Sequence, residues 1–413
     1  MVEEVTVLPS AGPRTRVVTL DASRGLAAWL VLLSHVGFWT GATASGVVGG
    51  LTARGDAGVA VFFALSALLL SSPFVRRGLG GRATWTARDY AARRAARILP
   101  AYYVALAAVV VAALVLGSRA GSLPSAADLL VHLVVGQGVT CATFVSFTQT
   151  WSLTSELTFY VLLPVVAPAL APWVRGGVDP VARGRRMLAV CGALAAGGLL
   201  LQGLAAVATG PGAPWWAGAL ATSAPGHALW FATGIALAVV LEAEAAGITL
   251  VRGPAAATLE ALRTSPGTLL LAAGVLWLVA ATPLVGPRDL ADPSVAAAVL
   301  KEIVYGLAAS TLLLAATSRG LPEAVGASRW AGPARWLGDT SYAVFLWHVL
   351  VLQVSFAVLD LQLFAAPFVP VLVLVTVVSL GLAHLSWVLV ERPAIARAHR
   401  RRDAAEPRPA ARA

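Results

Sequence analysis

The stretch VVTLDASRGLAAWLVLLSHVGF, residues 17–38, decides what kind of chain this is. A helix needs about 20 predominantly apolar residues to cross a hydrocarbon core, and the core of a cleaved signal is shorter. The run follows Arg14 and Arg16, and it holds Arg24 and His35, which a removable segment has no reason to keep. It reads as a spanning helix with polar chemistry built into it.

The same texture recurs along the 413 residues. Comparable runs lie near 56–75, 98–117, 149–171, 188–208, 226–242, 267–285, 297–316, 337–357 and 367–390. Between them stand breakers such as Gly210-Pro211-Gly212, Ser265-Pro266-Gly267, Asp292-Pro293 and Ala366-Pro367. Charged residues make up only 12% of the chain and hydrophobic ones 58%, against roughly 25% charged in a soluble domain. The fold class expected is an all-α, polytopic integral membrane protein with about ten transmembrane helices. No internal repeat of the kind that marks inverted-repeat transporters is visible.

The net charge of +10 does not indicate nucleic acid, because the basic residues sit between apolar runs rather than in one stripe. With the N-terminus inside, almost all of them fall on inner segments, leaving Arg54, Arg119, Arg288 and Lys301 outside. This asymmetry places both termini in the cytoplasm, and the cell (inner) membrane is the expected location. Residues 129–147 carry no formal charge and read as a buried or re-entrant outer segment, since an eleventh span would invert the charge pattern. Residues 1–16 form a short cytoplasmic lead, 17–393 the membrane domain, and 394–413 a basic tail expected to be disordered near anionic lipid headgroups. Only Cys141 and Cys191 are present, with no spacing suited to a disulfide framework or a metal, and no metal site is expected.

Polar groups inside spans are costly and point to function. At 100° per residue, His35 returns to within about 20° of Arg24, so the two share a helix face ~16 Å apart along the axis. Glu156 enters from the outer side about a turn and a half deep, at a depth comparable with His35. A carboxylate beside an imidazole fixes its tautomer and suits a general base, and the competing reading makes Glu156 a partner for a buried arginine. Asp56 opens the second span, Ser66 lies midway along it, and His348 sits mid-membrane in the ninth. The triplet Arg93, Arg94 and Arg97 at the inner face suits a polyphosphate ligand such as a nucleotide or coenzyme A. Topology determination and lipid contact are the competing reading, and the residues by themselves favour it slightly.

Taken in order, these elements resemble the membrane acyltransferase 3 family, over about residues 17–393. Leu20-Asp21-Ala22-Ser23-Arg24-Gly25-Leu26-Ala27-Ala28 is similar to its LDGLRGIAA signature, followed by His35. Phe62-Phe63-Ala64-Leu65-Ser66 is similar to FFVLSG, Arg93-Arg94-Ala95-Ala96-Arg97 to RRxxR, and Trp151-Ser152-Leu153 with Glu156 and Phe159-Tyr160 to WSLAVEEQFY. Ser341-Tyr342 through His348 resembles SYSLYLWH, and Leu389-Val390-Glu391-Arg392-Pro393 resembles LVERP. The chain departs from the pattern at Ala22 and Ala67 (glycines in the family), at Leu157 and Thr158 (often glutamate and glutamine), and at Phe345 (tyrosine).

The resemblance implies a bacterial O-acetyltransferase-type enzyme using acyl-CoA, chiefly acetyl-CoA, as co-substrate with no tightly bound cofactor. The acceptor implied is a hydroxyl of a carbohydrate, glycolipid or small metabolite. It assigns donor binding to Arg24, Arg93, Arg94 and Arg97, and catalysis to His35, as general base or transient acyl carrier, with Glu156 orienting the imidazole. Asp56, Ser66, Trp151, Ser152, Tyr342 and His348 are expected to meet substrate. The rival reading is a transporter of acyl or glycan intermediates without chemistry, in which the same polar groups line a translocation path.

Overall fold

Side-chain caps and prolines set the ends of the long helices. Thr86, Asp179 and Ser294 each accept a hydrogen bond from the backbone N–H three residues on, at 3.1, 2.7 and 3.2 Å. They open α4 (Ala87–Leu116), α8 (Pro180–Val207) and α13 (Val295–Ala316). The computed structural model describes residues 16–405 apart from 45, 82–85, 118–124, 141–143 and 290. Every described element is helical.

The other long helices are α1 (Val18–Thr40), α3 (Gly58–Gly78), α7 (Trp151–Arg175), α10 (Ala228–Ala245), α12 (Pro266–Ala280), α15 (Ala331–Val358) and α16 (Phe368–Ser386). Shorter pieces are α2 (Gly46–Ala53), α5 (Ala126–Leu133), α6 (Gln137–Thr140), α9 (Trp215–Ala221), α11 (Pro254–Arg263), α14 (Leu321–Ala327) and α17 (Arg392–Ala405). Each apolar run read from the sequence is therefore a helix. Eight helical segments are long and apolar enough to cross a membrane, or nine if α11 and α12, bent by 91°, count as one span. Helix α1 is not among them, because Asp21, Arg24 and His35 dilute its apolar character, yet it packs against α3, α15 and α16 in the middle of the bundle. The chain is a multi-pass membrane protein.

The segment 129–147 contains no spanning helix among its described residues, only α5, α6 and the start of a 3-10 turn at Val145–Thr150. His132 and Gln137 within it are wholly buried. One expectation needs correction. The tail from 394 continues as helix α17 through Ala405 rather than being disordered from its start, and 406–413 lie outside the described residues, as do 1–15. Arg54, one of the four basic residues read on the outer side, is buried and donates to the carbonyls of Ala280 (3.0 Å) and Gly286 (2.5 Å), satisfying backbone acceptors at and beyond the end of α12.

Without a hydrophobic drive between helices in lipid, close backbone approach at small residues holds the bundle. A Cβ on Gly234 of α10 would stand 2.0 Å from the Ala64 carbonyl oxygen on α3. One on Gly338 of α15 would meet Asp21 of α1 at 2.8 Å from its Cα. These contacts fix α1, α3, α10 and α15 around the site. Gly234→Val must push α10 off α3 and is expected to destabilise by about 3 kcal/mol or more, measured as unfolding in mixed micelles, with little effect expected from Gly274→Val, where a Cβ meets open space.

Candidate active site

Asp21 and Asp339, the one on α1 and the other on α15, share Arg16 through hydrogen bonds of 2.5 and 2.7 Å. Tyr342 donates to the Ile98 carbonyl of α4 at 3.1 Å. The starts of α1 and α15 and the first half of α4 thus meet at one end of the bundle. There a cavity of about 90 Å³ opens between α1, α3, α4, α7 and α15. Arg24, Arg94 and Arg97 line it, with Ser66, Ser152, Glu156, Tyr160, Ser341 and Tyr342 as its other polar groups. Phe62, Phe63, Phe345, Val59, Leu69, Leu70 and Ile98 form the apolar wall.

Helical spacing produces this convergence. Glu156 and Tyr160 are one turn apart on α7, so the Tyr160 hydroxyl donates to Glu156 Oε1, and Ser66 of α3 donates to the same oxygen. The two hydroxyls lie 3.2 Å apart. Arg24 keeps loose contact with Asp21 at 3.9 Å, and Arg97 lies 3.4 Å from Glu391. Arg94 has no carboxylate within ion-pair distance among the described residues. The cavity therefore presents cationic N–H donors beside an apolar wall, a combination suited to an anion carrying an apolar arm.

His35 lies beyond the cavity wall. Its Nδ1 is 2.9 Å from the Val31 carbonyl and 3.3 Å from Nε2 of His348, with the two rings edge-on at 5.0 Å. His348 is fully buried, and its own Nδ1 is 3.0 Å from the Val344 carbonyl. Carbonyls only accept, so both imidazoles carry the proton on Nδ1, and His348 Nε2 accepts part of the bond from His35. This arrangement leaves the lone pair of His35 on Nε2. The orienting partner of His35 is thus His348, where the sequence pointed to Glu156. Glu156 is occupied by Ser66 and Tyr160, because α7 faces α3 here while α15 packs along α1.

Phe345 bridges the two regions, with its ring 6.1 Å from Phe62 and 6.3 Å from His348. Of the residues read from the sequence, Arg24, Ser66, Arg94, Arg97, Ser152, Glu156 and Tyr342 meet at the cavity, and His35 and His348 pair beside it. Arg93 is not on the lining. Trp151 packs instead against His227, rings 5.5 Å apart. Asp56 is held by Lys301 (2.7 Å) and by the Tyr305 hydroxyl, away from the cavity. A second buried pair, His227 and Glu302 at 3.0 Å, is packed among Trp151, Trp230 and Phe63. Tyr160 and the Phe62–Phe345 pair were not singled out as site residues in the sequence. The i,i+4 spacing of Tyr160 from Glu156 was the available signal.

The profile of the acyltransferase domain family matches residues 17–387. The chain belongs to the acyltransferase 3 family. Nodulation protein 10 of Rhizobium leguminosarum bv. viciae is 28% identical over 141 residues, covering 30% of this chain and 36% of that protein. The match thus spans little more than a third of the relative's length. No solved structure matches the chain. The acyltransferase 3 match takes in α1 through the whole of α16, so every cavity-lining residue and both histidines lie inside it.

Proposed function

We propose that the protein is an O-acyltransferase of a bacterial cytoplasmic membrane. It takes an acyl group, chiefly acetyl, from cytoplasmic acyl-CoA and delivers it to a hydroxyl of a carbohydrate, glycolipid or small metabolite. The observation that carries this reading is the alignment of Arg24, Arg94 and Arg97 on one cavity with the His35–His348 pair immediately behind its aromatic wall. Both termini are cytoplasmic in this reading, with the arginine-lined end of the bundle facing inward, as the charge asymmetry requires.

A volume of about 90 Å³ holds roughly three waters, so the cavity suits the acyl-thioester end of the donor. The phosphates would meet Arg94 and Arg97, and the nucleotide would stay at the mouth. In the transfer, His35 Nε2 takes the acceptor hydroxyl proton while its oxygen attacks the thioester carbonyl. The carbon–sulfur bond breaks, and the CoA thiolate leaves and regains a proton. Alternatively, Nε2 accepts the acyl group first and passes it on. With its proton on Nδ1 toward His348 and the Val31 carbonyl, the neutral His35 ring has its lone pair on Nε2 for either route.

The test is incubation of purified protein with [14C]acetyl-CoA, following free CoA and label on protein and acceptor. Turnover supports transfer, and label on the protein selects the covalent route. Donor binding without turnover, across acetyl, succinyl and longer acyl-CoAs, would replace transfer by transport. Phe345 closes the cavity toward the histidines, so Phe345→Ala is expected to raise turnover of butyryl-CoA relative to acetyl-CoA several-fold. An unchanged ratio would mean that acyl length is read elsewhere.

A further inference from the structure

One enclosed carboxylate at the arginine end has no part in the transfer described above. Glu391 is 0% exposed and closes a π-helical turn, Trp387–Glu391, between α16 and α17. A π turn adds one residue to the helical circuit and rotates the next stretch of helix by about 100°. Here the turn brings two side chains onto α4. Glu391 Oε2 lies 3.4 Å from Arg97 Nη1, and the Trp387 ring lies 5.4 Å beneath the Arg97 guanidinium carbon. Ser386 donates to the other carboxylate oxygen at 3.5 Å, and Oε2 receives no well-formed hydrogen bond. A buried carboxylate is costly unless paired, and no other basic side chain among the described residues lies within ion-pair distance of Glu391.

Arg97 thus has an ion pair on one edge and an aromatic ring on one face, while it also lines the cavity. We propose that Glu391 is a positioning residue for the donor: with Trp387 it fixes Arg97 in the orientation that offers its remaining N–H groups to an anionic phosphate. Glu391 itself touches no ligand. This inference rests on the reading of Arg97 as a donor-binding residue.

The sign of the effect separates positioning from plain electrostatics. A carboxylate beside a phosphate-binding arginine repels the phosphate, so removing its charge alone should tighten donor binding. Removing a positioning group should weaken it. The experiment measures KM for acetyl-CoA, kcat and thermal stability for full-length Glu391→Gln, Glu391→Asp, Trp387→Leu, Arg97→Ala and the Arg97→Ala/Glu391→Gln double variant. Glu391→Gln is expected to raise the donor KM about tenfold, with kcat within about twofold, and Trp387→Leu to raise it less. Glu391→Asp should recover most of the loss, and the double variant should match Arg97→Ala alone. A lowered or unchanged KM in Glu391→Gln overturns the proposal, as does an equal further loss in the Arg97→Ala background. Should Glu391→Gln fail to fold, Trp387→Leu and Glu391→Asp carry the test, and an unchanged KM in Trp387→Leu overturns it. If Arg97→Ala itself leaves the donor KM unchanged, the donor-site reading fails first and the positioning role falls with it.

Discussion

Alanine in place of His35 is expected to cut acyl transfer by about a thousandfold while the protein still binds CoA. General-base assistance is worth about 10²–10⁴-fold, and a transient acyl carrier would be lost outright. Donor binding should survive, because the arginines lie on the cavity and His35 lies behind its wall. Steady-state turnover of labelled acetyl-CoA and CoA binding to the same preparation measure the two separately. His348→Ala should cost less, about tenfold, because the Val31 carbonyl still receives the His35 Nδ1 proton. The same tautomer sets the pH dependence. Nε2 acts only when unprotonated, so the wild-type rate should fall as acid protonates it. A rate that rises as the pH is lowered would count against the role.

Loss of both Arg94 and Arg97 is expected to have the next largest effect, and it should appear in the donor KM. Hydrogen bonds to a charged partner contribute about 1.5–3 kcal/mol each. Each single alanine variant should therefore raise KM about 10- to 150-fold, and the pair should approach the product of the two. Arg94 has no carboxylate partner among the described residues, so its substitution strands no buried acid. Arg97→Ala leaves Glu391 without its cation and adds a stability loss that Arg94→Ala lacks. Lysine replacements should restore charge without the bidentate fork and recover only part of the affinity. Initial rates over a range of acetyl-CoA concentrations decide the matter, and a change confined to kcat would remove the phosphate-binding role.

The helices were legible in the sequence because apolar length and breakers are local signals, and each run from 17–38 to 367–390 became a helix. The arginine, serine and glutamate positions of the cavity were also legible, since a membrane makes an intramembrane polar group conspicuous. Which groups touch was not. Counting residues puts His35 and Glu156 at a comparable depth, but contact depends on the order in which helices pack: Glu156 lines the cavity with Arg24, and α15 rather than α7 lies against the His35 face of α1. Depth comes from counting residues, whereas neighbourhood depends on glycine contacts such as Gly338 against Asp21. The Glu391–Arg97 pair was hidden for a related reason. It depends on a π turn that alters the helical phase of the residues after it. Asp56 was legible as a polar group opening its span, but its partners were not, because Lys301 and Tyr305 lie far away in sequence.

On the proposed function, a protein that takes a nucleotide thioester at one side of a bilayer and has polar groups running deep into it faces a risk unrelated to catalysis. Any continuous water column across the bilayer would short-circuit the proton gradient of the cell. The edge-to-face rings of Phe62 and Phe345 stand across that route, at the level where the polar cavity gives way to the histidines. On the proposed function they would act as insulation: a small acyl group would have to pass two apolar rings, and a hydrated ion would have to shed its shell against them. The same pair of rings expected to limit acyl length would then keep a polar site deep in the membrane from becoming a leak.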